Sequence, residues 1–324
     1  MSSVSVVLCT FDGADFLATQ LDSLAGQTCP PDEIVVRDDA SHDATREVLD
    51  DFAHRSAVPV RISVNQQRLG IPANFWAAIG DARGDLIALC DQDDVWHPSR
   101  LQRAIDVLDD DPHVGATFSN GRCIDERGAS TGQTLWELAG LTEDVLAQFR
   151  SGHELDVLLR RPVVTGATVT FRSSLLTFLR PAPPITHDYW ISAAIASKAR
   201  VKPIDEPLIS YRLHASNAIG LHPTAALPAL ARHLRDRGLR QETLAHQFHL
   251  RQALLERADQ AADPLLAPAT RQRIDRELDL LRFQLALPDR FIRRLPLVLG
   301  RVRSGAYASG AIGRFAWERD LFLL

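Results

Sequence analysis

The chain has 324 residues, 45% of them apolar and 24% charged, a composition ordinary for a soluble globular protein of one large domain or two smaller ones. Its formal net charge of −5 argues against a general nucleic-acid binder. No stretch reaches the ~18 consecutive apolar residues that a spanning helix requires, so any membrane contact is expected to be peripheral.

The charge is unevenly spread. After Gly220 there are 17 arginines and 11 acidic residues, whereas the first 220 residues carry 19 basic and 30 acidic ones. The tail is therefore chemically distinct from the body, which predicts a body over 1–220 and a helical extension over 221–324. Four cysteines (Cys9, Cys29, Cys90, Cys123) form no CxxC pair and are too sparse for a disulfide framework. The run 4–9 is too short for a signal peptide and lacks a basic start. A reducing, cytoplasmic location is the expectation.

In chain order, residues 4–9 read as a first strand, followed by the loop Thr10-Phe11-Asp12-Gly13 and a helix over 15–27 with Leu17, Leu21 and Leu24 on one face. Residues 34–36 are a second strand, ending in Asp38-Asp39-Ala40-Ser41, and a helix over about 44–54 follows. A third strand, 60–64, stops at Asn65. Gly70-Ile71-Pro72 then opens a helix that carries Asn74. Residues 86–90 are an apolar run, as expected of a strand buried on both faces. That run ends in Asp91-Gln92-Asp93-Asp94.

Strand–helix alternation repeated four times predicts an α/β protein with a mostly parallel sheet covered on both faces. Right-handed crossovers place all four strand ends on one edge, where open sheets bind ligands. A lone acidic turn is ordinarily a solvated cap. Polar clusters at Thr10, Asp38/Asp39, Asn65 and Asp91/Asp93 along one edge have no such explanation. Clustered carboxylates repel unless a cation joins them, and hard oxygen ligands suit Mg²⁺ or Mn²⁺, which in turn hold phosphate.

Further on, a helix with Leu101, Ile105 and Leu108 on one face precedes a strand over 114–119. Residues 125–161 are expected to form an excursion over the site. Residues 163–171 are β-rich with a break at Gly166, His187-Asp188 opens a helix reaching about 199, and 208–213 is a last strand followed by His214. Beyond 222 the composition predicts several helices. The last forty residues mix arginine with apolar side chains, consistent either with a packed helical cap or, over 286–324, with peripheral membrane contact.

Residues 4–28, Asp38-Asp39-Ala40-Ser41, Asn65, Gly70, Asn74, Asp91-Gln92-Asp93-Asp94, Gly166, His187-Asp188 and Tyr211-Arg212-Leu213-His214, taken as an ordered set, resemble a family 2 glycosyltransferase of the GT-A fold. The resemblance covers 1 to about 220, and its subtype is similar to bacterial rhamnosyltransferase-like enzymes of surface-polysaccharide assembly. It implies donor binding in 1–100 and an acceptor side in 101–220. It also implies inverting transfer from a nucleotide-diphosphate sugar (dTDP-rhamnose or a UDP-hexose) to a glycan or polyprenyl-linked glycan, with Mg²⁺ or Mn²⁺ as cofactor.

By that resemblance Asp188 is the catalytic base, at a helix start whose dipole suits a carboxylate. Asp93, Asp91 and His214 surround the metal. Thr10, Phe11, Asp39, Asn74 and Asp91 form the donor site, with Asp39 on the nucleobase imide and Phe11 against the base; Arg68, from its residue type alone, is a candidate to reach a donor phosphate, with a solvated loop arginine the alternative. Gly166, Trp96 and Trp190 belong to the acceptor side, the tryptophans as sugar-stacking faces. The family often has Glu before the base; here it is His187, which leaves that residue's role open.

Two other catalytic classes lack their signatures. A sugar nucleotidyltransferase needs basic residues in a Gly-rich loop after the first strand, yet 10–26 holds no Lys or Arg. A dinucleotide-binding oxidoreductase needs G-x-G-x-x-G there, and Gly13 stands alone. A non-catalytic sugar-nucleotide-binding module would keep the polar strand ends without needing a base.

Overall fold

The computed structural model describes residues 1–214, 237–261, 265–288, 291–304, 307 and 320. The chain divides into two compact units, one built from 1–158, 162–182 and 186–222, the other from 159–161, 183–185 and 223–324. The expected boundary at 220/221 lies outside the described residues.

In the first unit the strands are β1 (Val4–Thr10), β2 (Glu33–Asp38), β3 (Val60–Val64), β4 (Leu86–Cys90), β5 (Val95–Trp96), β6 (Val114–Ile124), β7 (Ser130–Thr134), β8 (Val169–Arg172) and β9 (Arg200–Arg212). They form one sheet in the order β3-β2-β1-β4-β8-β6-β9-β5, with β7 paired to β6. The first four strands are parallel, β8 is antiparallel to both its neighbours, and β9 runs parallel to β6. The sheet is thus mixed beyond β4.

The parallel half follows from its hydrophobic pattern. Val4, Val6 and Leu8 of β1 pack with Leu17, Leu21 and Leu24 of α1 (Ala14–Ala25) and with Leu49 and Phe52 of α2 (Thr45–Arg55). The same cluster takes in Leu101, Ile105 and Leu108 of α4 (Arg100–Asp110). Val7, Val35, Ile87 and Leu89 alternate with these residues and are also buried, and α3 (Ile71–Asp81) packs on β1 and β2. Register pairs Thr10 with Asp38, Asp38 with Val64, and Leu8 with Cys90. The polar strand ends therefore line one edge of the sheet.

Several elements differ from expectation. Residues 125–161 contain β7 and three short helices: α5 (Leu135–Ala139), α6 (Glu143–Arg150) and α7 (Glu154–Leu158). A capping box between Thr134 and Glu137 starts the first of these. β9 has 13 residues, more than twice the expected length. It contains Pro203 and Pro207, which argue against a strand, and its pairing with β6 is irregular where Pro207 meets Asn120. Of the β-rich stretch after 163, only β8 is strand; Gly166–Thr168 is a 3-10 turn. α8 (Leu176–Leu179) and α9 (His187–Ala196) complete the described helices of this unit.

The second unit contains α10 (Arg237–Gln260), α11 (Pro268–Leu285) and α12 (Phe291–Arg303). α10 and α11 are joined by a fully buried ion pair, Arg251 Nε to Glu277 Oε2 at 2.8 Å. No helix among the described residues is long and apolar enough to cross a membrane.

Two turns at the sheet's polar edge carry positive φ without glycine: Asp12 at 44° and Ala40 at 63°. Ala in the left-handed region costs about 1–2 kcal/mol. Ala40→Gly is therefore expected to stabilise the protein by up to about 1 kcal/mol, after the entropy that glycine adds to the unfolded chain. Thermal or chemical denaturation measures this; a loss of stability would contradict the strain.

Candidate active site

β4 carries the centre of the site, because its carboxyl end delivers Asp91, Gln92, Asp93 and Asp94 in one tight turn. Asp91 is half-buried, and its carboxyl is pushed up to about 8 by desolvation first, then by the charges of Asp93 and Asp188. Asp94 is buried and its carboxyl is raised well above the ordinary range, by desolvation and then by Asp93 and Asp91. One Asp94 oxygen accepts the Arg212 N–H at 3.0 Å; the other has no partner. The fold thus concentrates more negative charge here than it neutralises.

Asp93 lies 2.8 Å from Nε2 of His214, so the end of β9 reaches the β4 turn. Arg212 reinforces that junction. Its Nε donates to the Asp93 carbonyl at 2.8 Å, its Nη1 to the carbonyls of Asp125 and Glu126, and its guanidinium lies over Phe16.

Asp188 sits in the first turn of α9 and is half-buried. Its Oδ2 accepts the Gly166 N–H at 3.2 Å, and Oδ1 accepts the Tyr189 N–H at 2.8 Å. A Cβ at Gly166 would stand 3.2 Å from both Asp188 Cβ and His187 Nε2, so glycine allows the turn to meet the helix. His187 is buried with its ring stacked on Phe75 at 4.0 Å and 13°. Burial lowers its pKa, with Asp188 pulling the other way.

On the opposite flank Asp39 is 3% exposed. Its Oδ1 accepts from Asn65 Nδ2 at 2.8 Å and from the Leu69 N–H at 2.7 Å, and its Oδ2 from the Gly70 N–H at 2.8 Å. Asn74 accepts a second Asn65 bond at 2.8 Å and donates to the Arg37 carbonyl, which places it behind this loop. Phe11 is half-buried, and the Arg68 guanidinium lies 3.7 Å above its ring. A planar ligand on that face must share it with Arg68.

Three of the expected site residues are corrected. Trp190 is wholly buried and donates Nε1–H to the Leu179 carbonyl. Trp96 is 3% exposed beneath Arg100, whose Cζ lies 3.4 Å from its ring centroid. Neither ring has a face free for a sugar. Thr10 is buried and spends its hydroxyl on Asp38 at 2.8 Å, so it fixes the strand end. Proximity in sequence to a carboxylate did not reveal which way these side chains turn.

Gln92 was missed. Its Oε1 accepts the Phe11 N–H at 2.8 Å and its Nε2 donates to the Phe11 carbonyl at 3.0 Å, clamping the β1 loop to the β4 turn. The only signal was its place inside the acidic motif. Arg100 and Arg212 were missed too, since an arginine reads as surface until its burial is known.

The acidic set fits a divalent cation. Among the described residues no three His, Cys, Asp or Glu side chains form a ready-made cage. Asp91, Asp93 and His214 would supply part of a coordination shell, and Mg²⁺ or Mn²⁺ normally completes such a shell with water and phosphate oxygens. The unpartnered Asp94 oxygen, beside carboxyls raised by burial and then by one another's charge, is what matches a cation.

The fold is GT-A. Over 95% of this chain and 76% of the other, it superposes with a TM-score of 0.57 and 19% identity on a mannosyltransferase of Pyrobaculum calidifontis, solved with GDP-Man and Mn²⁺. It is similar also to TarS of S. aureus, solved with UDP-GlcNAc, with a TM-score of 0.55 and 16% identity over 98% of this chain and 79% of that one. Residues 5–175 match the model of glycosyl transferase family 2, and the chain belongs to that family. An uncharacterised Mycobacterium tuberculosis protein is 28% identical over 65% of this chain, and the match spans 59% of that relative's length. A dTDP-rhamnosyl transferase of Shigella flexneri is 24% identical over 66% of this chain and 73% of its own.

Gln92→Ala leaves the Phe11 N–H and carbonyl unpaired, which is expected to cost about 1–3 kcal/mol. A melting temperature lowered by several degrees is the expected reading; an unchanged one contradicts the clamp.

Proposed function

We propose that this protein is an inverting, metal-dependent glycosyltransferase. It moves a hexosyl group from a nucleotide-diphosphate sugar, dTDP-rhamnose or a UDP-hexose, to a glycan or polyprenyl-linked glycan in cell-surface polysaccharide synthesis. The observation that carries the reading is the meeting of Asp91, Asp93 and Asp188, from β4 and α9, at one end of the sheet. The similarity to a dTDP-rhamnosyl transferase supports the rhamnose donor. Neighbours solved with UDP-GlcNAc, and with GDP-Man and Mn²⁺, support a nucleotide sugar and a divalent cation.

Roles divide by side of the site. Residues 1–100 hold the donor: Phe11 and Arg68 face the base, Asp39 accepts from the nucleobase imide while holding the loop at 69–70, and Asn74 supports that loop from behind. Residues 101–220 make the acceptor side, where Gly166 orients Asp188. Asp91, Asp93 and His214 would hold Mg²⁺ or Mn²⁺, which when bound offsets charge on the leaving diphosphate. Asp188 takes the proton of the attacking hydroxyl. The Gly166 and Tyr189 N–H groups fix the direction of its carboxylate, and general-base catalysis contributes about 10²–10⁴ in rate, roughly 3–5 kcal/mol.

We infer a cytoplasmic protein in peripheral contact with the inner face of the membrane. α12 supports the membrane part: it holds no Asp or Glu, and Ile292 is 84% exposed beside exposed Phe291, Leu297 and Leu299 and the arginines 293 and 303. Such a face suits anionic lipid.

Asp188→Asn is expected to lower transfer 10²–10⁴-fold while nucleotide affinity stays within a few-fold. Retained transfer removes Asp188 as the base, and a wild type that binds nucleotide without transferring or hydrolysing the donor favours a binding module. Thermal-shift titration with UDP, dTDP and GDP, with and without Mn²⁺, should show a metal-dependent shift for one of them that Asp93→Asn abolishes. No shift with any nucleotide sinks the proposal. Liposome flotation should lose the protein when Ile292 and Leu299 are both replaced by Glu; equal flotation removes the membrane contact.

A further inference from the structure

We infer that Arg100 is a positioning residue for sugar transfer: its guanidinium ties the strand bearing the acidic turn to the turn that orients Asp188. The inference rests on the reading of the site given above and adds to it a residue that the sequence did not single out.

Arg100 opens α4 and is 2% exposed. Its Nη2 donates to the Leu89 carbonyl of β4 at 3.2 Å and to the Ala167 carbonyl at 2.6 Å. Ala167 lies in the Gly166–Thr168 turn, and the neighbouring Gly166 N–H holds Asp188 Oδ2 at 3.2 Å. β4, Arg100, the turn and the base are therefore linked by direct contacts. The link cannot pivot freely. The Trp96 ring centroid lies 3.4 Å from the guanidinium carbon, and Gly166 has no room for a Cβ beside Asp188 and His187 without displacing them. Shifting the turn would move Asp188 relative to Asp91 and Asp93.

A purely structural residue has no need of this chemistry. Nε and Nη1 of Arg100 are buried without hydrogen-bond partners, an arrangement that an apolar side chain of similar volume avoids. What the arginine adds is two hydrogen bonds from one fixed group, aimed at β4 and at the Gly166–Thr168 turn together. A lysine keeps the charge but lacks the planar face that rests on Trp96 and the fork that fixes direction.

The test compares wild type, Arg100→Lys and Arg100→Met, each alone and combined with Asp188→Asn. It reads kcat, donor KM and Mn²⁺-dependent nucleotide affinity. Misplacing a catalytic group by about 1 Å can cost on the order of 10²-fold. A kcat fall of about 10- to 100-fold is thus expected in both single variants, with donor KM and nucleotide affinity within about threefold. In the Asp188→Asn background, adding Arg100→Lys should change the residual rate less than about threefold, because the two residues act through one group. Wild-type kcat in Arg100→Lys overturns the inference. So does a loss that falls equally on nucleotide binding, or one that multiplies with Asp188→Asn. If neither variant folds, Trp96→Phe loosens the guanidinium while keeping it and is read by the same criteria. A wild type that transfers from no nucleotide sugar sinks the functional reading and this inference with it; an active wild type with an unaffected Arg100→Lys sinks only the inference.

Discussion

Everything at the polar edge of the sheet is arranged around an excess of negative charge. Asp91, Asp93, Asp94 and Asp188 converge where β4 ends, and burial makes their mutual repulsion stronger than it would be in water. The protein answers only part of it. Arg100 lies behind Asp91 and Asp94, His214 touches Asp93, and one backbone N–H reaches Asp94. The Asp91 carboxyl is accordingly pushed up to about 8, by burial first and by the charges of Asp93 and Asp188 second. A chain selected for stability alone would replace such a residue with an apolar one. Retaining it makes sense for a site completed by a divalent cation, whose positive charge would offset both the carboxylates and a bound diphosphate.

The two flanks of this charge are built differently. On the flank of Asp39, loops are fixed by the protein's own hydrogen bonds: Asp39 holds the backbone at 69 and 70, Asn65 and Asn74 stand behind it, and Gln92 grips both polar groups of Phe11. Little conformational freedom remains there for a ligand to remove, which lowers the cost of binding. On the other flank, Asp188 is held by backbone N–H groups from the Gly166 turn and from its own helix. A carboxylate held this way keeps its direction yet remains half-open to whatever approaches it.

The parallel half of this arrangement was legible because its signal is local. Runs such as 86–90 are apolar throughout, each ends in a polar cluster, and alternation with amphipathic helices leaves few topologies. The mixed half was not, because its strands are set by partners distant in sequence. β9 contains two prolines and pairs irregularly with β6, so no period survives to be read. Orientation was the other blind spot. Trp190 stands two residues after Asp188 on a helix buried nearly all round, where no apolar stripe shows which way a ring turns. Trp96 follows the acidic turn yet serves as the platform for Arg100.

His187 extends the charge argument to a departure from the family's habit. The resemblance implies a Glu at this position, and here it would bring a further carboxylate against Asp188 in a site already short of positive charge. The imidazole stacks on Phe75, its pKa is lowered by burial, and neither ring nitrogen has a hydrogen-bond partner. Those conditions disfavour the charged ring, so the position contributes packing and no charge. A Cβ added at Gly166 would stand equally far from His187 Nε2 and Asp188 Cβ, so the imidazole as well as the carboxylate limits what that turn can carry. Removing one negative charge beside Asp188 leaves Arg100 to offset fewer carboxylates. The buried guanidinium behind β4 and the uncharged ring before Asp188 are thus two responses to the same electrostatic constraint.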